Sequence, residues 1–83
     1  MEKHYSVHYR VNRRRVRDPL LGKYSAYGIS GRDHTGEIWR LSKAFGDRLF
    51  AARIAFLLNK NQVSLVHADD VVADLLFGGT LLP

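Results

Sequence analysis

Polar and apolar residues alternate strictly over residues 4–12, near the start of the chain. The apolar set is Tyr5, Val7, Tyr9 and Val11, and the polar set is His4, Ser6, His8 and Arg10. A period of two, built from aromatic and β-branched residues, predicts a strand with one buried face. We therefore expect the side of Tyr5, Val7 and Tyr9 to pack in the core.

The alternation loses its phase in the basic segment VNRRRVRDP, residues 11–19. Val16 falls on the parity of the outward face, so a bulge or a loop is needed to turn it inward. We therefore predict a flexible basic loop at about residues 12–18. A turn follows at residues 18–22, where Asp18 can accept backbone hydrogen bonds, Pro19 fixes φ and Gly22 tolerates positive φ.

Two further strands are predicted at residues 24–30 and 37–42, separated by the turn cluster GRDHTG at residues 31–36. Three strands joined by short turns most simply form an antiparallel meander.

The period then changes from that of strands to that of helices. Residues 46–60 carry apolar positions at i, i+4, i+7 and i+8, namely Phe50, Ile54, Leu57 and Leu58. A second helix is predicted at about residues 67–77, with Ser64 or a neighbour as its cap and a flexible tail at about residues 78–83. Its expected buried stripe is Ala68, Val71, Val72, Leu75 and Leu76. The predicted fold class is α+β: one small domain, with a three-stranded antiparallel sheet followed by two C-terminal helices packed on one face.

Two short motifs carry a family resemblance. The segment Tyr24-Ser25-Ala26-Tyr27-Gly28-Ile29 and the later Val66-His67-Ala68-Asp69-Asp70-Val71-Val72-Ala73-Asp74-Leu75-Leu76 resemble an uncharacterised family of small clostridial-type bacterial proteins. That family shares a YxxYGI-like strand and a DVVxDLL-like final helix. The resemblance covers residues 24–77 and leaves out the basic segment before them. It supports the fold and implies no catalytic residue.

The charge distribution narrows the range of partners. The net charge of the 83-residue chain is +5, and the whole excess lies before Ser42, where nine Lys or Arg stand against four acids. This asymmetry favours a polyanion or an acidic protein surface as partner. The absence of a secretory pattern and of a long apolar run predicts a cytoplasmic protein and no membrane partner.

Catalytic chemistry is not predicted by any motif. The chain has no cysteine, so thiolate metal sites and cysteine nucleophiles are excluded. His4 and His8 would lie roughly 13 Å apart along a strand, too far to share a metal, and no HExxH, phosphate loop or nucleophile elbow occurs. We expect no catalytic residue, cofactor or metal, and we expect that the protein is not an enzyme.

Cationic residues form the main candidate binding set: Arg10, Arg13, Arg14, Arg15, Arg17 and Lys23. They would neutralise phosphates in a nucleic-acid complex. The other interpretation is a charged strand edge that prevents aggregation, and the sequence favours it because no RNA-binding or recognition-helix signature accompanies the arginines. The aromatic residues Tyr5, Tyr9, Tyr24, Tyr27 and Trp39 are expected in the core rather than as a stacking platform.

The helices supply two further hypotheses. Arg53 falls within the apolar arc of the first helix, which predicts a structural ion pair with Asp70 or Asp74 of the second. Apolar residues also exceed what one buried stripe requires, so Leu49, Phe56, Leu81 and Leu82 are candidates for an apolar interface. A homodimer or a protein partner would cover them.

The functional expectation is a small binding protein that acts by occupying a protein surface. An inhibitor of a host defence complex such as a CRISPR effector, carried by a phage or a mobile element, fits this size and charge. The alternative is a basic protein that binds nucleic acid through its arginine-rich segment.

Overall fold

The computed structural model describes residues 7–77. Three strands, β1 (Val7–Asp18), β2 (Gly22–Asp33) and β3 (Ile38–Arg40), precede two helices, α1 (Arg48–Lys60) and α2 (Leu65–Phe77). The strands form one antiparallel sheet in the order β1-β2-β3. The predicted α+β fold is therefore confirmed. None of the helices in the described range is long and apolar enough to cross a membrane.

The basic segment is a strand and not a loop, which corrects the prediction for residues 12–18. The ladder between β1 and β2 runs without a bulge from Val7 opposite Asp33 to Asp18 opposite Gly22. Val16 accordingly stays on the outward parity, opposite Tyr24. Neither face of this part of the hairpin is covered by a helix. The face on which Val16 lies therefore has little effect on the free energy of folding, and the strand is held by its continuous backbone hydrogen bonds to β2.

A tight turn closes the hairpin where the sequence predicted one. The carboxylate Oδ1 of Asp18 accepts hydrogen bonds from the backbone N–H groups of Leu20 and Leu21, at 2.8 and 2.9 Å. These bonds hold the pKa of Asp18 below its usual value. Gly22 completes the turn with φ of 81°, a conformation that side chains disfavour.

The core lies between the base of the hairpin and the helices. Its fully buried side chains are Tyr9, Ile29, Ile54 and Leu58. Val7 is buried with Tyr9, as the alternating pattern predicted, while Tyr5 lies outside the described residues. The predicted stripe of α2 is also confirmed, because Ala68, Val72 and Leu75 are buried and Val71 and Leu76 pack against them.

Two side chains at the end of α1 hold the free edge of β1. The Asn59 amide accepts a hydrogen bond from Tyr9 N at 2.7 Å and donates one to Tyr9 O at 2.9 Å. Gln62 makes the same pair of contacts with the backbone of Val7, at 3.3 and 3.0 Å. Each side-chain amide thus bonds to both the N–H and the C=O of one residue of β1, as a neighbouring strand would. These backbone groups lie on the free edge of the sheet and would otherwise lack partners, so the end of α1 is joined to the base of the hairpin.

Tyr9 anchors this arrangement from inside the core. Its ring packs edge to face against Trp39, with 5.6 Å between ring centroids, and its hydroxyl donates a hydrogen bond to the carbonyl of Val63. Burial, assisted by the nearby Asp33 carboxylate, raises the pKa of Tyr9 from 10.0 to about 12.

This shift predicts a loss of stability at high pH. The phenol is kept neutral in the folded state, so its contribution to the free energy of unfolding is complete below pH 10 and is lost as the pH rises through about 12. Urea midpoints measured between about pH 9 and about pH 11.5 should fall more steeply for the wild type than for Tyr9→Phe. Equal slopes for the two proteins would contradict this prediction.

Candidate nucleic-acid interface

The upper part of the β1–β2 hairpin extends beyond the helices as a two-stranded ribbon arm, residues 12–25. The molecule measures 54 Å along its longest axis and 19 Å along its shortest. Arg13, Arg14, Arg15 and Arg17 are exposed on one strand of the arm, and Lys23 is exposed on the other. The six positions 12–17 alone correspond to about 20 Å of extended chain.

Cations occur on both faces of the ribbon arm. Directly paired residues of an antiparallel ladder share a face. Arg15 pairs with Ser25, and Arg17 pairs with Lys23. These three cations and Arg13 therefore lie on the same face of the hairpin as Val7 and Tyr9. Arg14 lies on the opposite face, where its guanidinium group lies over Gly28: a Cβ added there would come within 2.7 Å of Arg14 Nη2.

The open face of the sheet, opposite the helices, continues the positive surface down to the base. Arg10, Ser30 and Arg40 form one row across the three strands, and Arg32 lies in the next row between His8 and Ile38. These residues line an open groove of about 640 Å³. Three arginines therefore lie around one serine hydroxyl, on a face that no helix covers.

Ser30 is oriented within this groove. Asn12 Nδ2 donates a hydrogen bond of 2.9 Å to Ser30 Oγ. No residue of the described chain accepts the serine's own hydroxyl hydrogen. The hydroxyl therefore has one hydrogen left to donate to an acceptor in the groove, such as a phosphate oxygen.

Two carboxylates lie near these arginines, and neither forms an ion pair with them; Asp33 itself lines the groove and contributes one negative charge there. Asp18 is used in the hairpin turn. Asp33 accepts hydrogen bonds from Thr35 Oγ1, Thr35 N and Glu37 N, and the Thr35 hydroxyl makes the largest contribution to lowering the pKa of Asp33. Across residues 7–77 no arginine forms an ion pair with a carboxylate. The positive potential of the arm and the open face therefore remains available to an external anion.

The tip of the ribbon arm is apolar. Leu20 is 92% exposed and Leu21 is 74% exposed, although their backbone is fixed by the Asp18 bonds. Apolar side chains at the end of a basic ribbon have no partner within the described fold.

The aromatic residues do not form a stacking surface on the arm. Tyr9 is buried, and Tyr27 and Trp39 pack against the core, as expected from the sequence. Tyr24, at 42% exposure, is the exception among the described aromatic residues predicted for the core.

The predicted ion pair between the helices is wrong. Arg53, Asp70 and Asp74 are all exposed, and no contact within the described range joins the arginine to either aspartate. The helical wheel placed Arg53 near the apolar arc, but the buried face of α1 is centred on Ile54 and Leu58, so Arg53 points to solvent and needs no internal partner.

Two of the four residues predicted for an apolar interface lie within the described part of the chain. Leu49 and Phe56 are exposed, at 70% and 61%, as an interface would require. Leu81 and Leu82 lie outside the described residues, as does the tail at residues 78–83. Three or more potential metal ligands do not come together anywhere in residues 7–77.

Comparisons with known proteins add no information on function, so the ribbon arm, the open sheet face and the exposed apolar residues are the guide to it. No family model, no curated protein and no solved structure matches the chain. The likeness to the clostridial family thus stays a prediction based on two short motifs.

Proposed function

We propose that the protein is a non-enzymatic DNA-binding module that holds duplex DNA with its ribbon arm and the open face of its sheet. The observation that carries this proposal is the paired, exposed arm with Arg13, Arg14, Arg15, Arg17 and Lys23, whose positive charges have no carboxylate partners. Arginines that contact phosphates release condensed counterions, which supplies affinity without sequence readout. Arg10, Arg32 and Arg40, around the Ser30 hydroxyl, extend the same phosphate-binding surface at the base.

The shape of the arm favours duplex DNA over the other nucleic acids. A two-stranded β-ribbon fits the major groove of B-form DNA, which is about 12 Å wide. The deep, narrow major groove of an RNA duplex excludes such a ribbon. Single-stranded nucleic acid is usually held by several exposed aromatic rings, and the described arm offers Tyr24 alone.

Titration at two salt concentrations tests the proposal. We expect labelled duplex DNA to bind at micromolar protein or below, with an affinity that falls steeply as salt is raised. Single-stranded DNA and duplex RNA of the same length serve as competitors and should compete less well. Absence of salt-sensitive binding to duplex DNA at micromolar protein would reject the proposal, and so would competition by single-stranded DNA or duplex RNA that equals that of duplex DNA.

The apolar tip predicts an additional effect on DNA shape. Leu20 and Leu21 have the exposure and the backbone-bonded turn that insertion between base pairs requires. Apolar wedges of this kind enter from the minor groove and kink duplexes by about 20–90°, so bending that depends on the tip would place the tip in the minor groove and not in the major groove. Energy transfer between dyes at the two ends of a short duplex should report bending by the wild type. The variant Leu20→Ser/Leu21→Ser should bind through the same arginines but bend the duplex less. Equal bending by both proteins would exclude the wedge.

An acidic protein surface is the second candidate partner. The same unpaired cations would fit a protein that presents carboxylates, as expected for an inhibitor of a host defence complex. The exposed Leu20 and Leu21 at the tip of the arm favour this candidate, since apolar patches usually mark interfaces with proteins. Failure of the DNA titration together with capture of an acidic protein through the arm would support it.

A further inference from the structure

The outward faces of the two helices carry a matching pattern of apolar and charged residues. On α1 the exposed positions Leu49, Arg53, Phe56 and Lys60 follow the spacing i, i+4, i+7 and i+11, and we call them the α1 stripe. On α2 the exposed positions Val66, Asp70, Ala73 and Phe77 follow the same spacing, and we call them the α2 stripe. Residues at this spacing form a single row along a helix.

Both stripes point away from the protein's own core. The buried side chains of α1 are Ala51, Ile54, Ala55 and Leu58, which lie on the opposite side of the helix from the α1 stripe. The same relation holds on α2, whose buried side chains are Ala68, Val72 and Leu75. Large apolar groups thus remain in solvent on both helices, with Val66 79% exposed and Phe77 82% exposed.

The two stripes are opposite in charge. Arg53 and Lys60 make the α1 stripe cationic, while Asp70, flanked by Asp69 and Asp74, makes the α2 stripe anionic. Arg53 and Asp70 each occupy the sixth position of a thirteen-residue helix. Two helices that cross at their middles would therefore bring the guanidinium group and the carboxylate together, whichever way the helices run.

We propose that the protein forms a homodimer in which the α1 stripe of each copy packs on the α2 stripe of the other. A two-fold axis makes this contact twice, as in most dimers of identical chains. The charges favour packing of α1 on α2 over the other two arrangements. Packing α1 on α1 would bring the cations Arg53 and Lys60 of the two copies together, and packing α2 on α2 would bring their aspartates together, so both would be repulsive.

The dimer also accounts for the ion pair that is missing within the chain. Arg53, Asp70 and Asp74 have no intramolecular partner in residues 7–77, and each lies on or beside a stripe that the second copy would cover. Leu49 and Phe56 would be buried in the same contact. Helices of this length are about 20 Å long, so the interface is small, and we expect a weak, concentration-dependent dimer.

Sedimentation equilibrium on nucleic-acid-free protein tests the dimer independently of DNA binding. The average mass should rise from the 9.5 kDa of one chain toward twice that value as the concentration increases from micromolar to millimolar. Arg53→Asp and Asp70→Arg should each weaken association by about tenfold or more, and the double variant, with the charges exchanged, should recover it. Lys43→Asp, an equal charge reversal at an exposed position outside both stripes, should dimerise like the wild type.

Three results would overturn the proposal. The first is a wild type that stays at 9.5 kDa at millimolar concentration. The second is a dimer that neither single charge reversal weakens. The third is a dimer that is lost in Phe56→Ser but not recovered by the charge exchange, because it would place α1 in the interface without α2. Each substituted residue is exposed, and circular dichroism spectra of the variants serve as the check that they are folded.

Discussion

The double variant Arg15→Gln/Arg17→Gln is expected to bind duplex DNA about 30-fold more weakly than the wild type at about 0.15 M salt. Both residues lie on the outer half of the ribbon arm, on the face that also carries Lys23. Each phosphate contact changes the slope of log K against log salt by about 0.9, which corresponds to a factor of about five at this salt concentration. Loss of two contacts should therefore also reduce the slope by about 1.8.

The matched control removes two charges elsewhere. Lys43→Gln/Arg48→Gln lowers the net charge by the same amount, but these exposed residues lie near the start of α1 and not on the arm or the open sheet face. We expect its affinity to stay within about threefold of the wild type, since only the long-range field changes. Equal losses in the two double variants would mean that net charge, and not the ribbon arm, determines binding.

The architecture was predictable because its signals are local. Alternation at residues 7–12 and the helical period around Ile54 and Val72 each identify the buried side of one element, and the structure buries those sides. Capping also followed local rules: α1 begins directly after Asp47, whose side chain accepts a hydrogen bond from Leu49 N at 2.9 Å.

The ribbon arm was misjudged because it has no buried face. Hydrophobic periodicity reports burial, and a strand that is solvated on both sides carries no such signal. Residues 12–18 are held by backbone pairing with β2, and backbone hydrogen bonds leave no mark on the sequence of side chains. The loss of phase at Val16 therefore indicated a missing core contact and not a missing strand.

The candidate site was incomplete for a related reason. Arg32 and Arg40 were not predicted to act with Arg10, because their meeting depends on the register of three strands. One shift of the register by a single residue would move either arginine to the other face. For Arg40, the available signal was its outward position on the predicted third strand, which identifies a shared face only after the pairing is known. Arg32 carried no such signal, because residues 31–36 were predicted as a turn, whereas β2 continues to Asp33.

The register of the sheet determines how much an added methyl group destabilises the protein at Gly31 and at Gly28. Gly31→Ala is expected to lower the free energy of unfolding by about 1–3 kcal/mol. Gly31 lies directly between Tyr9 and Trp39 in the sheet, and a Cβ there would come within 2.6 Å of the Tyr9 ring. That ring cannot retreat, because it is fully buried and its hydroxyl is bonded to Val63.

Gly28→Ala is the matched control, because it adds the same methyl group to the same strand but on the open face. The contact it creates is with Arg14 Nη2, at 2.7 Å, the end of a flexible and exposed side chain that can move away. Stability should be unchanged or should rise by up to about 1 kcal/mol, since alanine restricts the unfolded chain. Urea unfolding of the two variants measures the difference, and similar midpoints would contradict the register that places Tyr9, Gly31 and Trp39 in one row. Because Arg14 must leave its position over Gly28, the same variant should also alter DNA binding while Gly31→Ala, where folded, should not.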